Sequence, residues 1–130
     1  MRVIAIIIAI LGLAGFVYGI LFVAQAGSVE NQVADSVAPL ALSEVNAKYD
    51  AVAVKYDAAR TAEEPQIQAG KAAPSVMYDY FSAQRALLGL AKTNIGLAKF
   101  LRTSGTVDIL LGLGMFLAGV WLLRKSQSAA

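Results

Sequence analysis

The chain has 130 residues, 58% hydrophobic and only 15% charged, with a mean hydropathy of +0.61. Soluble domains carry roughly 45–50% apolar and about 25% charged residues, so this balance points to a membrane. Eleven Lys+Arg against nine Asp+Glu leave a net charge of +2, too little for a nucleic-acid binder. Cys and His are both absent, which removes disulfides, thiolate chemistry, the usual general base and the commonest metal ligand. The expectation is therefore an all-α membrane protein with no catalytic residue, no metal site and no cofactor named by its sequence.

Val3 to Ala24 is uncharged throughout. At ~1.5 Å per residue it is long enough for a hydrocarbon core of roughly 30 Å, so residues 1–24 are expected to form a first transmembrane helix. Ala24-Gln25-Ala26 has the small-x-small form of a signal-peptidase site. The apolar run exceeds the roughly 7–15 residues of a signal peptide's core, which favours a retained helix. That helix is expected to extend toward Val37, where Pro39 interrupts it.

Residues 25–105 read as an extramembrane antiparallel helical hairpin with heptad seams. Leu42, Val45, Tyr49, Val52, Tyr56 and Ala59 follow a 3-4 alternation, and Lys48-Tyr49-Asp50-Ala51 recurs seven residues later as Lys55-Tyr56-Asp57-Ala58. A helix over about 41–62, capped by Ser43, is predicted to end at Glu63-Glu64-Pro65, with a loop over 63–75 containing Gly70. From the candidate cap Ser75 the alternation resumes through Val76, Tyr80, Ala83, Leu87, Leu90, Asn94, Leu97 and Leu101. This predicts a helix over about 76–104 that is continuous with a second transmembrane helix over 106–123. A short basic tail follows over 124–130. Trp121, Arg124 and Lys125 suit a membrane interface.

Asn94 interrupts an apolar seam, either as a device that fixes register or oligomer state or as an exposed or water-bonded Asn where the seam opens. Arg85, Lys92 and Lys99, with Arg102, form a basic stripe that could dock an acidic partner or anionic lipid, or simply be solvated. Gly89 and Gly96 beside it could admit another helix. Gly15-x-x-x-Gly19 and Gly114-x-x-x-Ala118, with Gly12, Gly112 and Gly119 nearby, are small-xxx-small patterns that favour close helix packing in lipid. Asp108 is either an interfacial acid or a polar contact within the membrane. The Lys and Arg distribution, dominated by Arg2 at the first helix, places both termini in the cytoplasm and residues 25–105 outside.

These features fit a non-catalytic accessory, scaffolding or structural subunit of a larger membrane assembly. Its partners would be the bilayer and other membrane subunits, copies of itself, or both. The alternative is a homo-oligomeric pore or small transporter with the second transmembrane helix lining the path and Asp108 at its mouth.

Overall fold

The structure is a computed structural model describing residues 2–128. Three α-helices follow one another, α1 (Arg2–Val37), α2 (Val45–Gln68) and α3 (Val76–Ser128), with a 3-10 turn at Leu42–Glu44 before α2. No strand occurs among the described residues. Helices α1 and α3 are both long and apolar enough to cross a membrane.

Local chemistry sets the element ends. Helix α1 stops two residues before Pro39, which has no N–H and disfavours helical backbone at the residue before it. The Leu40 N–H then closes a turn onto the Val37 carbonyl at 3.0 Å. Ser43 was the expected cap for the next helix, but it lies inside the 3-10 turn. There the Glu44 carboxylate accepts the Ala41 N–H at 3.2 Å instead.

Helix α2 runs past its expected end, with Pro65 inside it. A proline removes one backbone bond, and a side-chain ladder spans the gap. Arg60 Nε donates to Glu64 at 2.6 Å, and Gln68 Nε2 donates to the same carboxylate at 3.3 Å. Gly70 then terminates the helix at φ +67°, with its N–H on the Ile67 carbonyl and the Lys71 N–H on the Gln66 carbonyl. That paired closure needs a left-handed residue, which glycine adopts without steric cost. Ser75 caps α3 as its sequence suggests, its Oγ accepting the Tyr78 N–H at 3.1 Å.

The helices pack as two compact units. One comprises Val29 and earlier residues with Leu97 and later ones. Here α1 and α3 run antiparallel, Gly12 against Gly112 and Gly19 against Gly105. The buried positions are Ala5, Gly12, Gly19 and Ala26 on α1, and Ala98, Gly105, Gly112 and Gly119 on α3. Each set repeats every seven residues and contains only Ala and Gly. Such lines let two backbones approach until their main chains touch. The large apolar side chains point away from this contact, with Leu110 67% and Ile10 60% exposed.

The other unit is Glu30–Gly96. Its core is Val33, Val37, Val45, Val52, Leu88 and Ala91. Helices α2 and α3 are antiparallel, since Asp50 meets Lys92, Asp57 meets Arg85 and Glu63 meets Ser75. The α2 line Leu42, Val45, Tyr49, Val52, Tyr56 and Ala59 is buried or half-buried at every position.

On α3 the contact line is displaced from the expected seam. Leu88, Ala91 and Ala98 are buried, whereas Leu87, Leu90 and Leu97, one residue earlier, are exposed. One residue is about 100° of helix rotation. Leu87, Leu90 and Leu97 of the expected seam therefore turn outward, and the intramolecular contact uses Leu88 with the smaller Ala91 and Ala98.

Candidate interaction surface

The repeated Lys-Tyr-Asp-Ala tetrads of α2 build two equivalent clamps on α3. Lys92 Nζ lies 4.8 Å from the Tyr49 ring centre and 3.7 Å from the Asp50 carboxylate. One heptad on, the Arg85 guanidinium lies 4.8 Å from the Tyr56 ring and 3.7 Å from Asp57. A ring face and a carboxylate thus hold each cation, an arrangement that a seven-residue repeat on both helices reproduces in register. Tyr56 also packs its ring at 5.6 Å from Tyr78.

The basic stripe is divided by these contacts. Arg85 and Lys92 each pair with an α2 carboxylate at 3.7 Å and keep their side chains partly exposed. Lys99 is exposed, and Arg102 is likewise exposed but makes contacts of its own.

Where α2 gives way to α3, the Glu63 carboxylate accepts both the Ser75 N–H at 2.9 Å and the Ser75 hydroxyl at 2.7 Å. Those two hydrogen bonds hold the Glu63 carboxyl below the usual glutamate range. Glu64 is lowered likewise by its bond from Arg60, whose own pKa is raised by it. A hydrogen bond with Tyr56 raises the Tyr78 phenol.

The glycines separate into three groups. At Gly19 and Gly112 a Cβ would collide with main chain of the facing helix; on Gly19 it would lie 2.6 Å from the Gly105 carbonyl oxygen. At Gly15 and Gly89 it would meet ordinary or slightly tight neighbours, the Gly112 Cα at 3.6 Å and the Tyr49 ring at 3.3 Å. At Gly96 and Gly114 nothing lies within 4 Å, and Ala118 is exposed. The structure thus brings Gly19 and Gly112 into the α1–α3 contact and leaves Gly96, Gly114 and Ala118 outside it. Asp108 is half-buried, with its carbonyl 3.9 Å from the Cβ position of Gly15.

Along the outward seam, Val76 is 85% and Leu90 62% exposed, with Tyr80, Leu87 and Leu97 about half exposed. Asn94 and Leu101 are half-buried. Tyr80 and Leu87 line grooves between α2 and α3 whose α2 lip carries Lys48 and Lys55. Those two lysines escaped the sequence reading, although their seven-residue spacing was visible in the tetrad repeat.

Within the α1–α3 unit, Arg2 donates to the Ser126 carbonyl at 3.3 Å, and Lys125 lies 5.2 Å from the Trp121 ring. Arg2 and Lys125 are therefore gathered at one end of the α1–α3 pair. No group of three or more metal-ligating side chains occurs among the described residues. Comparison with protein-family models, curated proteins and solved structures gave no match.

Proposed function

We propose that this chain is a non-catalytic integral membrane protein serving as a structural or accessory subunit of a larger membrane assembly. In this reading the α1–α3 pair lies in the bilayer as two transmembrane helices. Residues 25–105, with the antiparallel pairing of α2 and α3, lie outside it. The Ala/Gly line holds the two transmembrane helices together and leaves their bulky faces to lipid or to neighbouring helices.

One observation carries the assembly role. Val76, Tyr80, Leu87 and Leu90 form an apolar line at heptad spacing that the described residues leave half to fully exposed. Fully burying a leucine or valine stabilises by about 1.5–3 kcal/mol, so half-exposed ones forgo roughly 1 kcal/mol each until a partner covers them. A solvent-facing line of this kind is a protein-contact face by its chemistry.

Native mass spectrometry after extraction in a mild detergent tests the proposal. The expected result is a particle whose mass is dominated by other polypeptides, lost when Leu87 and Leu90 are both changed to Ser. A single bare chain in every mild detergent would overturn it. A closed ring of this chain alone would instead favour the pore, with solute leak through Asp108→Asn proteoliposomes as the next measurement.

A further inference from the structure

The two sides of the α2–α3 pair differ in charge, and the difference specifies a partner. On one side the α2 carboxylates Asp50 and Asp57 neutralise Lys92 and Arg85 of α3. On the other side Lys48 and Lys55 form the α2 lip, and the facing polar residues of α3 are the neutral Gln84 and Tyr80. Lys55 lies 5.9 Å from the Phe81 ring, and among the described residues neither lysine has a carboxylate within ion-pair distance. The groove beside them has a volume of about 400 Å³ where it is floored by Val37, Pro39, Leu40 and Leu88. A second hollow, which shares Lys48 and Gln84 with the first, is lined by Val52, Phe81 and Lys55. Glu44 stands at one end, with its carboxylate already accepting the Ala41 N–H.

Resting on the accessory-subunit reading, we infer that this groove docks an acidic amphipathic helix of a different polypeptide. The apolar face of that helix would lie on Leu87 and the groove floor. Carboxylates one heptad apart would meet Lys48 and Lys55, since seven residues on an α-helix return to nearly the same face. A second copy of this chain is the poorer occupant. A two-fold contact centred on the groove sets the lysine pair of one copy against that of the other, Lys48 facing Lys55 and Lys55 facing Lys48. Asp79 is the one acid that α3 carries between Val76 and Leu101, and the α2 acids Asp50, Asp57, Glu63 and Glu64 are already engaged. Like-charge juxtaposition at an interface costs affinity, and complementary charge supplies specificity.

The test uses the full chain in lipid nanodiscs with two fluorescent three-heptad peptides. Both carry Leu at the heptad core positions; one has Glu and the other Lys at flanking sites seven apart. The Glu peptide should bind about tenfold tighter at low salt, with the preference shrinking as salt rises. The double variant Lys48→Glu/Lys55→Glu should reverse the order of the two peptides. Both lysines are exposed, so helix content by circular dichroism should not change. Equal affinity for the two peptides overturns the inference, as does a preference that survives the charge reversal. A wild-type dimer that Leu87→Glu dissociates also overturns it, by seating a second copy in the groove. The peptide titration reads the groove alone and the native mass reads the assembly, so the two proposals can fail separately.

Discussion

The carbonyl oxygen of Gly112 lies 2.7 Å from the point where a Cβ on Gly12 would sit, and the Gly12 carbonyl lies 2.6 Å from the same point on Gly112. Neither helix has room for a methyl group there, because the obstacle is main chain that cannot rotate aside. In a helix interior, replacing glycine by alanine ordinarily gains about 0.5–1 kcal/mol. At Gly12 or Gly112 the overpacking cost of typically 1–3 kcal/mol should exceed that gain. At Gly96, where nothing lies within 4 Å, the ordinary gain should be realised. Unfolding in mixed micelles, followed by circular dichroism, should therefore show Gly12→Ala and Gly112→Ala destabilised and Gly96→Ala stabilised. Equal effects at all three sites would contradict this packing.

The contrast explains what was legible in the sequence. The α2 line from Leu42 to Ala59 is readable because its inward residues are its bulky ones, as hydrophobic periodicity assumes. On α3 the same count selects Leu87, Leu90 and Leu97, whereas the contact uses Leu88, Ala91 and Ala98. Helices that approach closely bury small residues, so size misleads just where packing is tightest. The legible signal was instead the seven-residue spacing of Ala91, Ala98, Gly105, Gly112 and Gly119, matched on α1 by Ala5, Gly12, Gly19 and Ala26. The passage of α2 through Pro65 was obscure for another reason. It depends on the Arg60–Glu64–Gln68 ladder, in which three side chains act together.

The clamps on Lys92 and Arg85 should behave as coupled pairs. A double-mutant cycle on Tyr56→Leu and Arg85→Ala should give a coupling of about 0.5–1 kcal/mol, the range for exposed cation–π contacts. Asp57→Asn with Arg85→Ala should give less, since Asp57 is largely exposed and the pair is 3.7 Å apart. Raising salt should weaken the second coupling more than the first. Additive effects in both cycles would mean that the cation is not held.

Glu63 ties the end of α2 to the start of α3, and its lowered pKa gives that tie a pH dependence. A carboxylate with a depressed folded pKa contributes stability above its unfolded value, roughly 4.3 for a glutamate, and loses it as pH falls through the folded value. The melting temperature should accordingly drop between about pH 5 and pH 3 in the wild type. Glu63→Gln should melt lower at pH 7 and show a shallower drop, with the lowered Glu64 contributing the remainder. Ser75→Ala removes the cap as well and should cost about 0.5–2 kcal/mol at neutral pH. A Glu63→Gln profile parallel to the wild type from pH 7 to pH 3 would refute the link.

The proposed orientation rests on the end of the α1–α3 pair where Arg2 reaches the Ser126 carbonyl and Lys125 sits over Trp121. From sequence alone Arg124 and Lys125 compete with Lys92, Lys99 and Arg102 across the second apolar segment. One fact lessens that competition: Arg2 joins the Lys125 end. Cationic flanks remain on the cytoplasmic side during insertion, so both termini should be cytoplasmic. The chain has no cysteine, which allows single reporters to be placed cleanly at the exposed Ala62 and Gln127. With a membrane-impermeant maleimide, Ala62→Cys should label in intact cells and Gln127→Cys only after permeabilisation. The reverse pattern would invert the topology, and labelling of both in intact cells would rule out a retained pair of spans. Neutralising Arg2, Arg124 and Lys125 together should then yield a mixed population, because the remaining loop lysines no longer face an opposing cluster.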